Sequence, residues 1–89
     1  MPPPAYMPMN VHVKLSTTLR KYVPDYNPEK GLDVELPGAG ETTAEALANR
    51  LAVPVSEIKF VMLNGRSRPL NTILKENDRV AYFPAVGGG

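Results

Sequence analysis

The chain has no cysteine, no tryptophan and a single histidine among its 89 residues. The first absence excludes disulfides, thiolate metal sites, cysteine-held iron–sulfur clusters and catalysis by a side-chain thiol. If sulfur is handled here, no side chain can hold it. The lone His12 has no second metal-ligating residue at useful spacing and sits in an alternating pattern, so it reads as a solvated strand residue. An excess of charge is missing too. Ten basic residues against nine acidic ones leave a net +1, so neither nucleic acid nor an anionic membrane is an expected partner. No apolar run approaches the ~20 residues that span a bilayer. The opening "MPPPAYMP" has neither the basic nor the apolar region of a secretory signal. The cytoplasm is the expected location.

What is present is one small domain with enough apolar residues, 43%, for a single core. Residues 1–8 hold four of the ten prolines and read as a disordered or polyproline-like leader. In "NVHVKL", residues 10–15, Val11, Val13 and Leu15 alternate with polar residues, which predicts a half-buried strand. "STTLRKYV" changes period and predicts a short helix, capped by Ser16 or Thr17 and stopped by Pro24. Residues 24–31 are dense in turn formers. "LDVELPG", residues 32–38, alternates again as a second strand, and "GAGE" turns the chain. Thr42 and Glu45 make a capping-box pattern, with Thr43 the competing cap. Ala44, Leu47, Ala48 and Leu51 form one apolar stripe, so a helix is expected here, ended by Pro54.

Residues 58–63, "IKFVML", predict a third strand, and Asn64-Gly65 a type I′ hairpin, because that turn needs positive φ at both central positions. "RSRPL" returns as a short edge strand, "NTILKENDR" as a helical turn and loop, and residues 79–86 as the last strand. One main helix among four or five strands implies an α+β two-layer fold with the helix on one face of a mixed sheet.

A single helix covers only one side of such a sheet. The other side is expected to be polar, yet the third and last strands carry large apolar residues on both faces. Phe60 and Met62 point one way and Val61 and Leu63 the other, while Val80 and Tyr82 oppose Ala81 and Phe83. An apolar patch of this kind marks a partner surface, with Phe83, Phe60 and Met62 its candidates. The alternative is that loop 24–31 or the leader folds over it. Arg66 and Arg68 alternate onto one face and either pair with acids on a partner or form a solvated edge.

Side-chain chemistry is otherwise thin. No catalytic, cofactor-binding or metal-ligating set stands out. "GAGE" lacks the Lys-Ser/Thr of a phosphate loop, and Glu41 and Glu45 complement the helix dipole. What remains is the ending, "FPAVGGG", with Gly87, Gly88 and Gly89 following a strand without a linker. Three glycines reach about 10 Å at full extension and enter a channel that any side chain would block. Their tip carries an α-carboxylate, ionised at pH 7. Activated by ATP it becomes an acyl-adenylate. A sulfur donor then gives a thiocarboxylate, or an amine gives an amide. In both cases the domain is the carried group and the enzyme is a partner.

"LSTTLRKY", "VMLNGR" and "NDRVAYFPAVGGG", in that order around one amphipathic helix, resemble the ubiquitin-like sulfur carriers of the MoaD/ThiS family. That family includes the small subunit of molybdopterin synthase and the sulfur carrier of the thiamine pathway. The resemblance covers residues 9–89 and excludes the leader. It implies a ubiquitin-like β-grasp domain over residues 9–86 with a flexible glycine tail at 87–89. It implies adenylation of Gly89 by an ATP-dependent adenylyltransferase of the ubiquitin-activating type, and sulfur from a donor protein. No cofactor is bound by the carrier itself. The "FPAV" ending and the length favour the molybdopterin branch, in which the matching Phe83 meets a large catalytic subunit. Related carriers serve thiamine, cysteine, tungstopterin or tRNA thiolation. A lysine-conjugated modifier and a plain interaction module are the remaining alternatives.

Overall fold

The computed structural model describes residues 8–37 and 42–85. The leader, the "GAGE" turn at 38–41, and Val86 with the three terminal glycines lie outside the described residues. Five strands make one mixed sheet: β1 Met9–Leu15, β2 Leu32–Leu36, β3 Ile58–Leu63, β4 Arg66–Arg68 and β5 Arg79–Pro84. Their order across the sheet is β2-β1-β5-β3-β4. β1 and β5 run parallel at the centre, and every other pairing is antiparallel. The helix α1, Ala44–Arg50, is the one α-helix among the described residues. This is the expected α+β mixed sheet with one main helix, the β-grasp arrangement.

Alternation along the strands decides which side is sealed. Val11, Val13 and Leu15 of β1 are buried, as are Val61 of β3 and Val80 and Tyr82 of β5. They meet Ala44, Leu47 and Ala48 of α1, with Leu19, Val53 and Leu74 closing the core. At about 25 cal/mol per Å² of apolar surface removed from water, this is the main stabilising term.

The first amides of α1 are all paired. Thr43 caps it, its hydroxyl accepting from the Ala46 N–H at 3.1 Å. So the competing cap prevails over Thr42, whose carbonyl instead accepts from the Leu74 N–H. The Ala44 and Glu45 amides donate to the carbonyls of Thr72 and Leu70 at 3.0 and 2.8 Å. Those bonds explain a second correction. The segment "NTILKENDR" has no helical turn; it makes two turns and an isolated bridge from Ile73 to Thr43. Its backbone polar groups are spent on α1 rather than on itself.

The other end of α1 closes before Pro54 acts. Ala52 takes φ +65°, its N–H donates to the Asn49 carbonyl, and the Val53 N–H donates to the Ala48 carbonyl. That is a Schellman motif with alanine where glycine is usual.

The segment after β1 is a 3₁₀ helix, Thr17–Tyr22, rather than an α-helical turn. Ser16 precedes it without a side-chain capping bond. Two adjacent β-branched threonines weaken an α-helical first turn, and six residues is long for the tighter form. His12 is also more constrained than its pattern suggests. The β1–β2 register sets it opposite Asp33, with Nδ1 2.7 Å from the Asp33 carboxylate. Gly31 packs against the same ring: a Cβ there would lie 2.7 Å from His12 Nε2 and 2.8 Å from the Val13 carbonyl, at φ +77°. The Asn64-Gly65 turn takes positive φ at both residues, 53° and 83°, as type I′ requires. Asn64 then ties the hairpin to β5: Nδ2 donates to Asp78 and Oδ1 accepts from the Arg79 N–H, each at 2.9 Å.

Candidate functional site

Phe60 and Phe83 face each other across the β3–β5 ladder, on the side away from α1. Their rings stack with centroids 4.7 Å apart and planes 8° from parallel. A bulge between Ile58 and Phe60 re-aims the start of β3, a common device next to functional surfaces. Phe60 remains 38% exposed. One row along the same face, Met62 sits opposite Ala81 and Ser67. The three apolar residues expected to share a face therefore do so, at the end of the sheet where β5 finishes.

The stacked pair floors a groove of about 390 Å³ whose other walls are Ser16, Thr17, Thr18, Pro84 and Ala85. The sequence does not announce these residues as part of this surface: Ser16 and Thr17 read as helix-cap candidates and Pro84-Ala85 as part of the "FPAV" ending. The Ser-Thr-Thr run directly after β1 is the signal that could have placed them, because β1 pairs in parallel with β5 and ends beside it. Ala85 is the last described residue, two positions before Gly87, Gly88 and Gly89 in the sequence. Those three glycines lie outside the described residues, and their expected role is not one the geometry addresses.

Loop 24–31 covers only the neighbouring part of this face. Tyr26 Oη accepts from the Leu15 N–H at 2.9 Å, and the Arg20 guanidinium lies 5.7 Å over the Tyr26 ring. Tyr26 and Pro28 line a smaller groove with Lys14 and Ala81. The loop thus shields the β1 side and leaves Phe60 open.

Arg66 and Arg68 are not part of that surface. The register pairs Arg66 with Leu63 and Arg68 with Val61, which puts both arginines on the α1 side of the sheet's edge. They share one face, as their alternation implies, but it is the opposite one from Phe60 and Phe83.

Tyr82 shows how closely the sealed side is determined. Its side chain is wholly buried, and its hydroxyl donates to the Ala44 carbonyl at 2.6 Å. Burial pushes the phenol far above the ordinary tyrosine range. The bond fixes β5 against the first turn of α1 and so fixes the base of the groove behind it. Among the described residues no group of His, Cys, Asp and Glu is arranged to hold a metal ion, and no helix is long and apolar enough to cross a membrane.

A family model described as Mut7-C ubiquitin matches residues 8–87. No curated protein matches the chain significantly. Among solved structures, the small archaeal modifier protein 1 of Haloferax volcanii superposes with a TM-score of 0.62 at 22% identity, covering 90% of this chain and 99% of its own. The putative molybdopterin converting factor subunit 1 of Pyrococcus furiosus gives 0.64 at 21% identity, over 88% of this chain and 99% of its own. The small archaeal modifier protein 1 of Methanosarcina acetivorans gives 0.59 at 21% identity, over 92% and 98%. At these identities the likeness is one of fold, and the fold is that of the ubiquitin-like small modifiers and molybdopterin converting factors.

Proposed function

The chain belongs to the Mut7-C ubiquitin family, and from that premise we propose that it is a sulfur carrier whose working group is the α-carboxylate of Gly89. The carboxylate attacks the α-phosphorus of ATP on an activating adenylyltransferase and expels pyrophosphate. A sulfide equivalent from a donor protein then displaces AMP and leaves a terminal thiocarboxylate. That thiocarboxylate gives its sulfur to a molybdopterin precursor held by a large synthase subunit. The domain contributes no catalytic side chain; it presents the tail.

One observation carries the reading. The glycines begin two positions after Ala85 in the sequence, and Ala85 lines the groove floored by the Phe60–Phe83 stack. A rigid aromatic platform beside a slim, side-chain-free arm suits a partner that grips the domain and threads its end. Protein modification is the second reading. It shares the adenylation step and differs only in the acceptor, a lysine amine, and it is favoured by the likeness to two small archaeal modifier proteins.

Intact-protein mass spectrometry tests the proposal. Incubation with the cognate activating enzyme, ATP and a sulfur donor should add the mass difference of one oxygen replaced by sulfur, and deletion of Gly89 should abolish it. A free carboxylate that never changes, or a native C-terminal peptide that continues past Gly89, overturns the proposal. Glycine remnants on partner lysines select the modifier reading.

A further inference from the structure

Two large apolar side chains are exposed among the described residues, Phe60 and Ile73. Phe60 belongs to the groove beside the tail. Ile73, 46% exposed, lies on the other side of the sheet and has no part in that groove. It lines a second one, of about 440 Å³, with Leu63, Arg66, Arg68, Thr72 and Lys75.

The charge in this second groove is unbalanced. Arg66, Arg68 and Lys75 have no carboxylate within salt-bridge distance among the described residues, where the single close contact of a basic with an acidic side chain is His12 with Asp33. One acid, Asp78, stands in the groove wall, but it is buried and already engaged. Its two oxygens accept from Asn64 Nδ2 at 2.9 Å and the Lys75 N–H at 2.7 Å. Three cations therefore face solvent beside an apolar side chain, at the edge of a sheet.

The backbone adds direction. β4 is the outermost strand. Arg66 and Arg68 are paired inward with Leu63 and Val61, so the alternation of an antiparallel ladder turns the Ser67 N–H and C=O outward. The two guanidinium-bearing positions are two residues apart, about 6.5–7 Å along the strand, with side chains on one face. A second copy of the chain does not fit this edge. Antiparallel pairing about Ser67 would set each arginine opposite an arginine, and like charges directly opposite are destabilising. A free mineral anion would leave Ile73 and the strand edge unused.

The geometry points to a docking site for an acidic, extended peptide segment of a partner protein. The segment lies along β4 and bonds the backbone at Ser67. Carboxylates at alternate positions meet Arg66 and Arg68, and an apolar residue covers Ile73. The site is on the opposite side of the sheet from the Phe60–Phe83 groove, so one partner can hold it while another works on the tail. It does not depend on the chemistry at Gly89.

The test is an NMR titration of the full chain with a ten-residue peptide centred on Val-Thr-Glu-Thr-Glu-Thr-Val, whose glutamates and valines share one face of an extended segment, and with the matched peptide carrying Gln for each Glu. Amide shifts should concentrate at Ser67 and Ile73, and the neutral peptide should bind about tenfold more weakly, as two lost ion pairs imply. The exposed double variant Arg66→Glu/Arg68→Glu should keep the spectrum of the folded domain and lose more than about tenfold in affinity for the acidic peptide, because it sets like charges opposite each other. A chain lacking residues 86–89 should bind unchanged, which separates this site from the tail. Equal binding of both peptides, shifts centred on Phe60 and Phe83, or an absence of shifts overturns the inference. So does tighter binding of a mixed-sequence single-stranded oligonucleotide at the same residues, which would make the site a phosphate reader.

Discussion

Tyr82 and Phe83 are adjacent rings on the same strand in opposite surroundings. The first is wholly enclosed and bonded to the backbone of α1; the second stacks on a partly exposed neighbour at the mouth of a groove. One residue of offset moves an aromatic ring from one face of the sheet to the other. The contrast separates two uses of aromatic area. On the sealed side it holds the domain together. On the open side it is surface available to a partner, beside the last described residue, Ala85.

The largest expected effect is on the sealed side. Tyr82→Ala removes a buried ring and leaves the Ala44 carbonyl without its partner, and should cost ~3–5 kcal/mol of unfolding free energy. A chemical-denaturation midpoint close to that of the parent would break the contrast between the faces. Phe83→Ala should leave most of the stability in place but weaken binding to a partner protein that grips the open face by ~1–3 kcal/mol, read by calorimetry. A stability loss comparable to that of Tyr82→Ala would show that the open face is core after all.

Subtler is Tyr82→Phe, which keeps the ring and loses the hydroxyl, at ~1–2 kcal/mol. It also carries a pH signature. The folded phenol is held above its ordinary value of 10.0, so its contribution is fully present below about pH 10. It declines as pH rises from there toward the folded value, because the unfolded chain loses the proton first. Stability measured against pH should fall above pH 10 in the parent and fall less in Tyr82→Phe. The smallest effect touches neither face. Ala52→Gly relieves an alanine held at φ +65° and should gain ~0.5–1 kcal/mol in the same denaturation assay.

Most of the fold could be read along the chain where a rule is local. Ile58–Leu63 and the Asn64-Gly65 turn follow from a run of apolar residues and the φ demands of one turn type. The facing of Phe60, Met62 and Phe83 follows from period two. What escaped depends on distant partners. Nothing near Thr72 announces that its carbonyl serves the Ala44 amide, so a segment with helical composition is straightened by a helix 28 residues earlier. His12 meets Asp33 only once the β1–β2 register is known. The side taken by Arg66 was within reach: a two-residue hairpin pairs it with Leu63, so it had to share that residue's face. The groove walls at Ser16, Thr17 and Thr18 needed the parallel pairing of the first and last strands, which no local pattern encodes.

That parallel pairing has a mechanical consequence. β5 lies between β1 and β3, and hydrogen bonds run along both of its sides. A force drawing on the chain beyond Ala85 acts along the axis of β5. It loads both ladders in shear, and the bonds must give way together rather than one by one from an edge. A partner can therefore haul on the end of this chain without unravelling the body it is attached to.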